Sequence, residues 1–225
     1  MLLYLCLPGL GQNKSQHKTG KKGEPLTEAG KGIQKDQIHK LILRLHPTNS
    51  QLYPYVLLKD GTIYSRMDVS PSDLDVKLSK KTAPEKWGTW QKTGTSYQVH
   101  FHNGRKQTWG TWHPTRPASE SETIDGVYKC VGSFGGSRVH NSNTLILRDD
   151  GTFTWRYFYR SKGIFKPHKN DKAIKGSYRL EHYTIHFEYE NGEVERLLFA
   201  IFEEQGGFTI GVKPFAEMTE LQIDP

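Results

Sequence analysis

Four sequence matches recur in the same order along this chain, and no other feature constrains its fold as tightly. Val56-Leu-Leu-Lys-Asp60-Gly61-Thr62-Ile63 resembles Leu145-Ile-Leu-Arg-Asp-Asp150-Gly151-Thr152-Phe153. Gly88-Thr-Trp90 matches Gly176-Ser-Tyr178, Tyr97–Phe101 matches Tyr183–Phe187, and Asn103-Gly104 matches Asn191-Gly192. The offsets are 90, 88, 86 and 88 residues. Asp-Gly and Asn-Gly are hairpin turns, because glycine accepts positive φ and the preceding side chain supports the turn. Ordered hairpins at a fixed period predict antiparallel meanders, and meanders of this size close into small barrels.

The expected fold is therefore all-β, with two tandem meander modules forming small barrels or half-barrels over residues 37–117 and 123–215. An aromatic content of 12% suits pleated surfaces. The stretch TRPASESE, residues 115–122, reads as the connection between the modules. Ser70-Pro71 supplies an N-cap and a first-turn proline, which predicts a short helix in the first module. No stretch is apolar for long enough to span a bilayer.

The tetrapeptide WGTW occurs at Trp87–Trp90 and again at Trp109–Trp112. In the repeat frame the first copy aligns with Lys175–Tyr178 and the second with Leu197–Ala200. The two copies therefore belong to different strands of one module and are not a duplicated motif. In each, a glycine lets a neighbouring backbone or ring approach.

Gly126–Tyr128, Leu145–Phe153, Gly176–Tyr178, Tyr183–Phe187, Asn191-Gly192 and Gly207–Phe215 together resemble the small lipocalin-like β-meander domains of secreted bacterial proteins. The resemblance covers the second module best. It implies a barrel and carries more about fold than about function. Gly88-x-Trp90 and Gly110-x-Trp112 are similar to the lipocalin Gly-x-Trp element, although neither sits on a first strand. GTWQKTGTSYQV is similar to the opening hairpin of the avidin barrel, without that family's polar ligand-contacting set.

Charge and the amino end bear on compartment and partners. Residues 1–50 carry eight Lys/Arg against three Asp/Glu, so five of the seven net positive charges sit there. A solvated basic tail, and no nucleic-acid partner, is the expectation. Met1–Leu7 is apolar, a Pro-Gly break follows, and small residues stand at Gly9 and Gly11. Residues 1–11 read as a signal-peptide remnant cleaved after Gly11, which predicts a periplasmic or secreted protein. Residues 12–36 hold few large apolar side chains and read as a flexible basic linker, dispensable for folding. With Cys6 removed, Cys130 would remain as a small buried hydrophobe.

Two constellations are candidate sites. Trp155 and Tyr157 alternate with Phe153 on one face of a strand and, with Trp90, Trp112 and Tyr178, could line a barrel holding an apolar or ring-shaped ligand. The competing reading is that small barrels are simply filled by such rings. His100 and His102 share one strand face, as do His186 and Glu188, and in the repeat as matched above His100 corresponds to His186. The four suit zinc or another borderline cation only if the two strands face one another; otherwise they are surface polar residues. No Gly-x-Ser-x-Gly, HExxH, Walker or GxGxxG pattern occurs, and no cofactor is implied. A non-enzymatic binding or interaction protein is expected, its partner a small apolar ligand or an envelope protein. The alternative is a small metal-dependent or hydrolytic enzyme using the strand histidines.

Overall fold

The structure, a computed structural model, describes residues 23–45, 52–130, 141–161, 164–167, 173–204 and 206–218. The expected signal remnant and the first part of the basic linker lie outside the described residues. The fold is all-β with one short helix. The first seven strands are β1 (Ile38–Leu45), β2 (Leu52–Leu58), β3 (Thr62–Ser65), β4 (Trp87–Thr93), β5 (Ser96–Phe101), β6 (Lys106–Trp109) and β7 (His113–Arg116). Nine more follow: β8 (Gly126–Cys130), β9 (Asn141–Leu147), β10 (Thr152–Ser161), β11 (Ile164–Pro167), β12 (Ile174–Glu181), β13 (Thr184–Tyr189), β14 (Val194–Phe202), β15 (Gly207–Ile210) and β16 (Lys213–Glu217).

Strands β8, β9, β10, β12, β13, β14, β15 and β16 pair in that order, and β16 returns to β8, closing an eight-stranded antiparallel barrel. Its interior is a continuous apolar cluster that includes Phe153, Trp155, Phe187, Phe199, Phe208 and Phe215. Closure leaves no unpaired edge around the barrel, which removes the liability of an open sheet. One end is sealed from within. The Tyr178 hydroxyl lies 2.8 Å from the Ile124 carbonyl and 3.0 Å from that of Arg148, and it accepts the Ile124 N–H at 2.8 Å. The 115–122 connection runs across this end. Ala118 is buried in the barrel core and donates its N–H to the His182 carbonyl.

The first seven strands order as β7-β1-β2-β3-β4-β5-β6, so β6 and β7, consecutive in the chain, form the two lips of an incomplete barrel. Rings bridge the curl: Trp109 on β6 packs edge-on against Tyr55 on β2 at 4.7 Å, and the Arg44 guanidinium on β1 covers Trp109 at 4.4 Å. The inward cluster contains Ile42, Tyr55, Leu57, Ile63, Tyr97, Val99, Phe101 and Trp109.

The repeat is physical. The Asp60 Oδ1 accepts from the Thr62 N–H at 2.8 Å and hydroxyl at 2.6 Å, and the Asp150 Oδ1 accepts from Thr152 at 2.8 and 2.7 Å. The Trp90 Nε1–H donates to the Leu58 carbonyl, while the equivalent Tyr178 reaches the equivalent Arg148 carbonyl. One match requires correction. Gly88 pairs with Phe101 and Trp90 with Val99, while Gly176 pairs with Tyr189 and Tyr178 with Phe187. Phe101 therefore corresponds to Tyr189, not Phe187, and His100 to Glu188, not His186. A slip of two residues keeps every side chain on its own face, so alternation cannot detect it.

The two barrels are not separate bodies. β7 pairs with β14 through Thr115↔Phe202 and Arg116↔Ile201, which makes one sixteen-stranded sheet. Residues on β14 alternate, so Phe199 faces the closed barrel while Leu198 and Ala200 face out. Those two complete a second core with Leu41, Val56, Leu58, Tyr64, Met67, Val69, Leu74 and Trp87. The connection after β3 holds the expected short helix, but it begins at Val76 and not at Ser70-Pro71. Ser70-Pro71 opens a 3-10 turn, and helix α1 (Val76–Thr82) follows, capped by the Asp75 carboxylate on the Leu78 N–H.

From Gly23 onward the expected flexible linker is packed instead. Glu24 and Ile33 are buried. Thr27, Gly32 and Ile33 donate backbone N–H groups to Asp73, Ser72 and Pro71, and Leu26 bridges Leu74. Composition predicted a free chain because it counts apolar side chains, whereas this strap is held chiefly through its backbone and one buried carboxylate.

Candidate binding site

On β4, alternation points Gly88 and Trp90 toward the interior of the incomplete barrel. The Trp90 indole is fixed by its Nε1–H donating to the Leu58 carbonyl at 2.9 Å and by its backbone N–H donating to Gly61. Tyr97 on β5 meets Trp90 edge-on at 5.4 Å, and Trp112, between β6 and β7, meets Tyr97 at 4.8 Å. His39 on β1 stacks on Trp90 with ring centres 4.7 Å apart. The sequence-predicted Trp90 and Trp112, both half-buried, are thus brought together on the buried Tyr97 between them, as one aromatic shelf. Burial, followed by the positive charges of Lys92, Lys40 and Lys59, holds the His39 imidazole below its ordinary pKa. A neutral imidazole therefore lies on the indole at neutral pH, inside a rim of three lysines.

Trp155 and Tyr178 are in the other barrel. Trp155 is buried between Phe187 and Phe215, and its Nε1–H has no hydrogen-bond partner among the described residues. Tyr178 belongs to the seal described above. Tyr157 is on β10, with its side chain outside the described residues. Trp155 and Tyr178 do not join the shelf, and the described interior of the closed barrel is filled by its own rings. A cavity of about 10 Å³, lined by Leu43, Leu52, His113, Pro114, Phe202 and Glu204, has room for one water.

The four candidate metal ligands are not brought together. His100 and His102 are exposed at the end of β5, Glu188 is exposed on β13, and His186 is buried. Among the described residues no group of three His, Cys, Asp or Glu is placed to hold a metal. His186 is buried because the chain from Val69 to Asp73 lies over its face of the barrel. Ser70 shares a 2.7 Å hydrogen bond with Thr184, and Arg196 bonds Asp73 at 2.7 Å and Ser72 at 3.0 Å. The His186 Nε2 contacts the Glu181 carboxylate at 2.9 Å. Burial, then Arg179 and Arg196, hold the His186 pKa below its ordinary value, against the pull of Glu181.

A second polar knot ties the strap to the first sheet. The Glu24 carboxylate accepts from the Lys86 ammonium at 2.7 Å, the Tyr64 hydroxyl at 2.8 Å, and the Asp68 and Val69 N–H groups at 3.2 Å. A buried carboxylate saturated in this way is a structural fastener. No protein-family model, curated protein or solved structure matches this chain.

Sequence reasoning found Trp90 and Trp112 through the repeated tetrapeptide. It missed His39, Tyr97 as the bridging ring, and the arginines at the far end of the same barrel. His39 lies within the first strand, where only the curl of the sheet brings it to Trp90. No local pattern signals that contact.

Proposed function

We propose that this chain is an exported, non-enzymatic binding protein of the lipocalin-like type that takes a small apolar or ring-shaped ligand on the shelf of its incomplete barrel. The observation that carries this reading is the convergence of the half-buried Trp90 and Trp112, from separate segments, on the buried Tyr97 between them. Aromatic faces with a polar rim suit flat ligands, which gain contact area with little ordering cost. The closed barrel, packed throughout its described interior, acts in this reading as the rigid scaffold on which the shelf is held. The apolar start of the chain, with its small residues at Gly9 and Gly11, supports export.

Tryptophan fluorescence tests it, with 1-naphthol as the apolar ring probe and cellotetraose as the stacking-sugar probe. Saturable quenching by either is expected in the natural chain, and a loss of at least tenfold in affinity in Trp90→Ala with Trp112→Ala. Equal binding by the double variant, or no saturable binding of either probe, would remove the shelf as the site.

A further inference from the structure

Further along β1 from His39, the same barrel has a different character. Three arginines converge there on one aromatic cluster. The Arg44 guanidinium covers Trp109 at 4.4 Å, Arg105 covers Phe101 at 4.6 Å, and Arg66 covers Tyr53 at 4.1 Å. Trp109 in turn packs on Tyr55 at 4.7 Å and on Phe101 at 6.2 Å, so all three cations rest on members of one core. Among the described residues none of the three is in an ion pair. Among the described residues, the one hydrogen bond their side chains make is from the Arg44 Nε–H to the Thr111 carbonyl at 3.3 Å.

Tyr55 is at the floor of this cluster. It is 8% exposed, and no protein group hydrogen-bonds its hydroxyl among the described residues. Burial raises the Tyr55 pKa, and the positive charges of Arg44, Arg66 and Arg105 oppose that rise. The hydroxyl stays protonated and available as a donor at neutral pH. Arg66 is also held at φ +59° without being glycine, a left-handed conformation that other residues seldom adopt. Strain of that kind persists where the surroundings fix a side chain's aim.

We propose that Arg44, Arg66, Arg105 and Tyr55 form a binding site for a small ligand bearing an oxyanion, meaning a phosphate, sulfate or carboxylate group. With no carboxylate paired to these three guanidinium groups among the described residues, an oxyanion would supply the counter-charge they lack. A guanidinium lying flat on a ring keeps its N–H edge free, and that edge matches the spacing of two oxygens on one anion. The site is five residues beyond His39 on β1, and its test leaves the shelf tryptophans untouched, so either site can fail without the other.

The experiment compares sodium phosphate, sodium sulfate and phenyl phosphate with sodium chloride at matched ionic strength, by thermal shift and titration calorimetry. Phosphate well above its Kd is expected to raise the Tm by about 5–10 °C over chloride. Arg66→Gln and Arg105→Gln alter exposed side chains, and each is expected to weaken phosphate about tenfold. Tyr55→Phe, which keeps the ring packing, is expected to weaken it about threefold to tenfold. Tighter binding of phenyl phosphate assigns the anion to a larger ligand, and equal binding assigns it to the free ion; both support the site. Equal Tm values in phosphate, sulfate and chloride would overturn it. So would variants that bind as the natural chain does, or binding of heparin with no binding of the small anions.

Discussion

The absent β-carbon at position 176 sets how closely β12 lies on β13. A β-carbon there would stand 2.0 Å from the Glu188 carbonyl oxygen, and one on the equivalent Gly88 would stand 2.5 Å from that of His100. Both obstacles are backbone, so neither yields by a rotamer change. Gly176→Ala is expected to destabilise by about 3 kcal/mol and Gly88→Ala by less, as measured by urea denaturation. Near-neutral effects would show that the strands can separate without loss. These glycines were legible in the sequence because each recurs beside an aromatic at the repeat offset. His186 was not. Alternation placed it on the outer face of its strand correctly, but only tertiary structure shows that residues 69–73 cover that face. Its folded pKa is held down by burial and by Arg179 and Arg196, with Glu181 opposing. An unfolded chain takes up that proton more readily, so stability is full above the ordinary histidine range and falls as pH drops through it toward the lower folded value. The Tm is expected to decline between pH 7.5 and 5.5, and His186→Gln should reduce that decline. An unchanged pH dependence in the variant would assign the effect to other groups.

At the scale of elements, the Gly23–Asp36 strap shows what composition leaves out. Its apolar contribution is little more than Leu26 and Ile33, which is why the sequence reads as a linker. Its attachment consists of backbone bonds to residues 71–75 and the Glu24 knot, and neither has a compositional signature. A chain beginning at Gln37 exposes Tyr64, Leu74 and Met67 and is expected to melt about 5–10 °C below one beginning at Gly23. Equal melting would return the strap to linker status. Glu24→Ala leaves the Lys86 ammonium and the Tyr64 hydroxyl without their partner, with an expected cost of about 3 kcal/mol in chemical denaturation. The hairpins, by contrast, were legible almost residue for residue. Asp-Gly and Asn-Gly turns are local chemistry, and both copies close with the same bonds. The offset of the β5 match failed by two residues for an equally local reason: the alternating tyrosines at 97 and 183 supplied a false anchor.

At the scale of the whole molecule, the two units inferred from the repeat share one sheet and one intervening core. Leu198 and Ala200 belong to a strand of the second barrel yet complete the core of the first. The barrels should therefore unfold together. Four of the five tryptophans lie between positions 87 and 112, so Trp155→Phe leaves fluorescence reporting on the first barrel alone. Its denaturation midpoint is expected to coincide with that of far-ultraviolet circular dichroism, which reports both barrels. Two separated transitions would show that the halves are independent. The order of synthesis gives the shared strand another consequence. As the chain emerges amino end first, β1 to β7 can form hairpins early. The outward face of that sheet, covered early by Ile33, Met67, Val69 and Leu74, then lacks its last cover until residues 198–200 leave the ribosome, more than eighty residues after β7. Through that interval the nascent half keeps part of that apolar face open to solvent, and its core is finished only once β14 has been made.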